Sequence, residues 1–299
     1  MYNKTRLVLF IAILSFSVSA QTNTIDTKNQ VKRYQAKAPP TVQIGNEAFV
    51  NSNSTSIRWL GMAGFLVNSR GTNFMIDPLL EGYDMPLLMD FPIKPKSVPQ
   101  IDAVFVTHSD NDHYSVESCK DMSANVKEFH STIYVDSLMR NDGLKSYGHY
   151  IGESFKVGKV GVQMTLADHA WQNNFPKPGQ RYYSPGDACG FWFTTPDGTI
   201  WALGDSRFME EQLHMPIPDL ILFDYSEDAA FHSGLEGAVK IANAYPNTPL
   251  LLGHWGFVDA PDFIPFNGDP ENLKKLVKNP ERIIVLAPGQ PYVLKKLKK

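Results

Sequence analysis

An apolar run at residues 101–106 leads straight into Thr107-His108-Ser109-Asp110-Asn111-Asp112-His113, and no other stretch of the chain limits its fold and chemistry so tightly. Apolar at every position but Asp102, the run reads as a buried strand. The heptapeptide therefore stands just past a strand end. His108, Asp110, Asp112 and His113 place two imidazoles and two carboxylates within six residues. An apolar core cannot satisfy that many ionisable groups, and such crowding calls for a cation. A polar turn rich in Asp and Asn is the alternative reading of the same residues.

Three later residues follow the same rule. His169 comes after the run 162–167, Asp205 after 200–204 and His254 after 250–253. Side chains that repeatedly stand just past strand ends gather at one edge of a sheet system. Residues 55–60, 64–67 and 74–76 read as a meander of short strands with glycine-bearing turns. Further strands are expected at 101–106, 132–135, 161–166, 189–194, 200–203, 220–223 and 250–252, with 283–286 closing the domain. The turn Pro196-Asp197-Gly198 joins two of them. Helices are expected shortly after the heptapeptide and over 137–144 and 235–244. This alternation predicts an α/β protein with two mixed β-sheets packed face to face and helices outside, an αββα sandwich. Residues 79–100 form a long connection of the kind that carries function. Its apolar stretch, 85–91, is expected either to line a pocket mouth or to pack on the domain body.

The first twenty residues carry a separate message. Lys4 and Arg6 precede an apolar stretch, 7–16, followed by Ser17-Val18-Ser19-Ala20. That is the pattern of a secretory signal peptide, with an apolar core too short to span a bilayer. The mature chain is then expected to begin at Gln21 and to be periplasmic or secreted, with no integral membrane span once residues 1–20 are removed. Residues 21–54 read as a polar N-terminal arm and residues 55–299 as one large domain. Of 28 basic and 31 acidic residues, loss of Lys4 and Arg6 leaves 26 against 31, a net charge of −5. Without a basic stripe, this argues against nucleic acid as a partner. Cys119 and Cys189 are too few for a disulfide framework. A bridge, metal ligation and buried thiols all fit, with the buried thiol expected.

In order along the chain stand Gly61-Met62-Ala63-Gly64-Phe65-Leu66-Val67, Ile76-Asp77-Pro78, Ile101-Asp102-Ala103-Val104-Phe105-Val106-Thr107-His108, Ala167-Asp168-His169, Leu203-Gly204-Asp205-Ser206 and Gly253-His254-Trp255-Gly256. This ordered set, spread over about residues 55–290, resembles the metallo-β-lactamase superfamily. Within it the chain is most similar to the branch of ascorbate-phosphate lactonases and N-acylphosphatidylethanolamine phospholipase D. The resemblance implies one metal site from His108, Asp110 and His169, a second from Asp112, His113 and His254, and Asp205 as the bridge. It also implies Asp77 as an acceptor that orients a ligating imidazole, with a turn-forming role as its rival. His232 resembles a substrate-contacting residue that polarises an oxyanion, and a helix N-terminus there would hold its pKa down. Capping is the other reading of that histidine. Asp112 and His232 are the expected catalytic residues. His130, His149 and His214 have no such context, and Tyr182 and Tyr183 read as packing residues.

Asp110 departs from the superfamily pattern, because it stands where the loop His-x-His-x-Asp-His has its second histidine. A carboxylate adds negative charge and a hard oxygen, which moves preference from zinc towards manganese or iron. The expected function is a hydrolase in which two divalent ions (zinc, manganese or iron) share a hydroxide that attacks an electrophilic carbonyl or phosphorus. Its substrate would be a small or lipid-like molecule: a phosphodiester, then a lactone or ester, then a β-lactam. Two other classes use the same residues: a di-iron redox protein on this fold, and a periplasmic protein that binds metal or ligand without turnover.

Overall fold

The structure, a computed structural model, describes residues 34–174 and 181–297. The expected signal peptide, residues 1–20, lies outside them, as do residues 21–33 of the arm. Among the described residues the chain forms two seven-stranded sheets. The first contains β1 (Thr55–Gly61), β2 (Gly64–Ser69), β3 (Thr72–Ile76), β4 (Ile101–Phe105), β5 (Val126–Thr132), β6 (Ser146–His149) and the last strand of the chain, β14 (Pro291–Val293), in the order β14-β1-β2-β3-β4-β5-β6. The second contains β7 (Ser154–Val157), β8 (Val160–Leu166), β9 (Cys189–Thr195), β10 (Gly198–Ala202), β11 (Leu220–Asp224), β12 (Leu250–Gly253) and β13 (Ile283–Ile284), in the order β13-β12-β11-β10-β9-β8-β7. With helices α1 (Val116–Met122), α2 (Ile133–Asn141), α3 (Gly234–Ala244) and α4 (Pro270–Leu276), this is the expected αββα sandwich.

Period-two alternation along the strands sorts the side chains into layers. Phe65 and Val67 of β2 and Phe74 and Ile76 of β3 enter the core between the sheets. Leu66 and Met75 point the other way, into a cluster with Cys119 and Met122 of α1 and Val135 and Met139 of α2. Strands β11 and β12 are parallel neighbours, buried over nearly their whole length, and so read as unbroken apolar runs. Between the sheets, Phe74 and Phe105 meet Phe193 of β9 with ring centroids 4.8 and 5.1 Å apart. Aromatic pairs of this kind add about 0.5–1.5 kcal/mol each beyond area burial. Phe105 stands two residues before the heptapeptide, so the same packing anchors the strand that launches it.

Several local expectations give way. Residues 132–135 are not a strand: Thr132 ends β5, its Oγ1 accepts from Val135 N at 3.4 Å as a helix cap, and Ile133 opens α2. The β-branched Thr-Ile-Tyr-Val run has strand propensity, but the cap and the packing of Val135 and Met139 decide for helix, and α2 covers 133–141 rather than 137–144. Residues 283–286 do not close the domain. Only Ile283–Ile284 joins the second sheet, and the chain goes on to β14, which pairs with β1 through Ser56 and Val293. The described part of the arm is held by the domain. Asn68 Nδ2 donates to Ala48 O and Val50 O at 2.9 and 2.7 Å, and Asn73 Nδ2 donates to Phe49 O at 2.8 Å. In the stretch 85–91 only Met85 reaches the pocket described below. Leu88 N donates to Phe257 O at 2.8 Å and Phe91 packs on the Phe257 ring at 5.0 Å. Cys119 and Cys189 are free, buried thiols. Among the described residues no helix is long and apolar enough to cross a membrane.

Candidate metal centre

Every expected ligand stands past the C-terminal end of a strand. The heptapeptide follows β4, His169 follows β8, Asp205 follows β10 and His254 follows β12. Parallel pairing of β3 with β4, and of β10, β11 and β12, brings those ends to one edge. Glycine makes one of the turns possible. Gly204 has φ +66°, and a Cβ there would lie 2.7 Å from Cys189 O, so Asp205 must be preceded by a residue without a side chain. His254 is itself left-handed at φ +64°, held by its N–H to Met62 O at 2.7 Å. Strained non-glycine residues of this kind collect at functional sites.

Six of the seven side chains share donor groups, and Asp110, in neither group, stands beside His108 and His169. Asp205 Oδ2 lies 3.1 Å from His113 Nε2 and 3.3 Å from His254 Nε2. Asp112 Oδ2 lies 3.1 Å from His254 Nε2 and 3.6 Å from His113 Nε2. Asp110 Oδ2 lies 3.0 Å from His169 Nε2 and 3.3 Å from His108 Nε2. Among the described residues the donor atoms fall into two groups, each within 4.8 Å: Asp112, His113, Asp205 and His254 in one, His108, His169 and Asp205 in the other. Asp205 belongs to both. Asp77 accepts from Thr107 N at 2.8 Å, from Thr107 Oγ1 at 2.7 Å and from His113 Nδ1 at 2.8 Å. His169 Nδ1 donates to Phe231 O at 2.9 Å. In both imidazoles Nδ1 carries the proton, which leaves the Nε2 lone pair for the cluster.

The donor set fits a divalent cation. His108, Asp112, His113, His169, Asp205 and His254 are all buried, and among the described residues His108 Nε2 and Asp205 Oδ1 have no hydrogen-bond partner. Burial raises the affinity of Asp205 for a proton, yet the charges of His254, His232 and His113 outweigh it and hold the carboxyl well below its usual range. Burial likewise opposes ionisation of Asp110, and the imidazoles of His108 and His169 beside it reverse the balance. On His113, burial works against the proton, but Asp205, Asp112 and Asp77 push its pKa well up. A carboxylate field strong enough to do that attracts a metal ion equally well.

His232 departs from its expected electrostatics. The helix N-terminus does not hold its pKa down: although burial works in that direction, Asp205 and Asp228 push it up to about 10. Its Nε2 lies 2.8 Å from Asp205 Oδ2 and its Nδ1 3.1 Å from Asp228 Oδ2. Asp228 was not singled out from sequence, and only its spacing of four residues from His232 points to it. Asp224 was also missed, although it ends β11 just as other acids and histidines follow their strands. It sits near Asp205, and burial followed by the Asp205 charge pushes its pKa well up. Gln172, whose Nε2 donates to Asp110 Oδ1 at 2.5 Å, carries no signal in the sequence. Tyr183 proves more than packing, because its hydroxyl accepts from Ser109 N at 2.7 Å. Tyr182 is exposed, and His130 pairs with His149 at 3.0 Å, apart from the cluster.

A cavity of about 220 Å³ opens over the cluster. It is lined by Asp110, Asp112, His169, Asp205, His232 and His254 together with the largely apolar Tyr83, Met85, Trp171, Phe263 and Phe266. A nest of buried imidazoles and carboxylates at the open edge of an αββα sandwich is a cluster suited to holding metal ions. The sequence profile of the β-lactamase superfamily domain matches residues 72–255, more than half of the chain. The chain belongs to that superfamily. A UPF0173 metal-dependent hydrolase of Pyrococcus abyssi is 25% identical over 246 residues, covering 80% of this chain and 99% of that protein. The structure of a possible metal-dependent hydrolase from Veillonella parvula superposes with a TM-score of 0.63 at 18% identity, over 81% of this chain and all (100%) of that one. CmlA, a diiron β-hydroxylase from Streptomyces venezuelae, superposes with a TM-score of 0.59 at 14% identity, over 82% of this chain and 54% of that one. These structural likenesses establish the fold alone.

Proposed function

We propose that the protein hydrolyses a phosphodiester, lactone or ester, using two divalent ions held by His108, Asp110 and His169 on one side and by Asp112, His113 and His254 on the other, with Asp205 between. The observation that carries this reading is the membership of Asp205 in both donor groups. When bound, the ions supply Lewis acidity and lower the pKa of a water. His232 lines the cavity with its Nδ1 on Asp228 and its Nε2 on Asp205 Oδ2, a cationic ring placed beside Asp205 to steady negative charge developing on a substrate oxygen. Asp112 lines the same cavity and is the carboxylate placed to take a proton from the attacking water. Tyr83, Trp171, Phe263 and Phe266 exclude water and favour a substrate with an acyl or aromatic part. The ordered motifs support the lactonase and phospholipase branch. Residues 1–20 support action outside the cytoplasm.

A second reading, oxidation at a di-iron centre, draws on Asp110, whose Oδ2 brings a third carboxylate to the cluster. Assay of the purified protein on a chromogenic phosphodiester, a lactone and an ester separates the two. Hydrolysis that is abolished by a chelator and by Asp205→Ala is the expected result. Hydrolysis that survives both, or an oxygen-dependent change at bound iron with no hydrolysis, contradicts the proposal.

A further inference from the structure

Asp110 stands where the superfamily loop has a histidine, and its two oxygens have separate partners. Oδ2 faces His169 Nε2 at 3.0 Å and His108 Nε2 at 3.3 Å. Oδ1 accepts a hydrogen bond from Gln172 Nε2 at 2.5 Å. Gln172 comes three residues after His169, on the 3-10 turn Trp171–Asn173, so one short piece of chain delivers an imidazole to one oxygen and an amide to the other. His169 does not depend on this contact for its orientation, because Nδ1 is fixed by Phe231 O.

We infer that Gln172 is a positioning residue that makes Asp110 a one-oxygen metal ligand, a stand-in for the single nitrogen of the replaced histidine. The inference rests on the metal reading above. A free carboxylate can grip a cation with both oxygens, taking a position that water or substrate would otherwise use. A charge-assisted hydrogen bond to Oδ1 engages that oxygen and leaves Oδ2 as the available donor. The amide is neutral and keeps its N–H at any working pH, so the restraint is permanent.

Titration of the metal-free, full-length protein with manganese(II) and zinc(II) tests this, comparing wild type, Gln172→Leu, Asp110→His and the double variant. Gln172→Leu is expected to weaken the affinity for one ion by about 10-fold in the wild-type background. In the Asp110→His background the same change is expected to alter affinity by less than about twofold, since an imidazole has no second oxygen to restrain. Gln172→Met, of similar length and without the donor, repeats the test should the leucine variant fail to fold. The metal-free variants are expected to melt with wild type. Equal losses in both backgrounds, or no loss in either, overturn the assignment. A wild-type protein that binds neither ion overturns the metal reading and this assignment with it.

Discussion

Asp77 holds the first turn of the heptapeptide. Buried and left-handed at φ +44°, it takes the Thr107 N–H and hydroxyl with its two oxygens and the His113 Nδ1 proton with one of them. Asp77→Ala leaves the Thr107 N–H buried without its acceptor and takes the carboxylate away from Thr107 Oγ1 and His113 Nδ1, which keep only each other and His108 Nδ1. Denaturant unfolding is expected to register a loss of about 2–4 kcal/mol, and metal affinity is expected to fall about 10-fold. An unchanged midpoint and affinity would contradict the role given to Asp77. His232 separates chemistry from metal binding, because both of its ring nitrogens are held by carboxylates, Asp205 and Asp228. His232→Ala is expected to lower kcat by about 100-fold or more while metal content stays at the wild-type value. Loss of metal in that variant would make it a structural partner of Asp205 instead. That the seven expected ligands and Asp77 would stand near strand ends at one edge was legible in sequence, whereas the roles given to them rest on the resemblance. Asp224 obeys the same rule and was legible in principle. Gln172 and Asp228 act at distances of three and four residues from a histidine, a spacing too common to mark them.

Loops launched from separate strands must be held together, and one clasp does so at the surface. Arg207, just past Asp205, pairs with both oxygens of Asp168, just before His169, at 3.0 and 2.9 Å, and Asp168 N donates to Ser206 Oγ at 3.0 Å. The pair is about half exposed, so Arg207→Leu is expected to cost less than about 1 kcal/mol of stability. It is nevertheless expected to speed metal loss to a chelator, because it reduces the tie between the His169 and Asp205 loops to the Asp168 N–Ser206 Oγ and Arg207 N–Asp168 O bonds. An unchanged rate of loss would show that the ligand loops hold their places without the clasp. Among the elements, long buried strands such as β11 and β12 were plain in the sequence. Short edge strands were not: β6, β7 and β14 have three or four residues each, too few for alternation to register. At Thr132 a cap hydrogen bond overrode local propensity, an outcome fixed by tertiary packing.

At the scale of the molecule, the sandwich was legible in the alternation of strands and helices, whereas the strand order was not. The return of β14 to β1 joins segments more than two hundred residues apart, a pairing no local pattern encodes. The metal centre draws its donors from both sheets, so bound ions tie the two halves of the sandwich together. Binding to the folded form alone raises the melting temperature by mass action, and a chelator is expected to lower it by several degrees in a calorimetric scan. The most direct measurement is elemental analysis of the purified protein, with hydrolysis followed before chelation, after it and after a divalent ion is restored. About two divalent ions per chain, and activity that is lost and returns with them, are predicted. A chain that carries no divalent ion as purified and hydrolyses its substrate equally well after chelation would contradict the account.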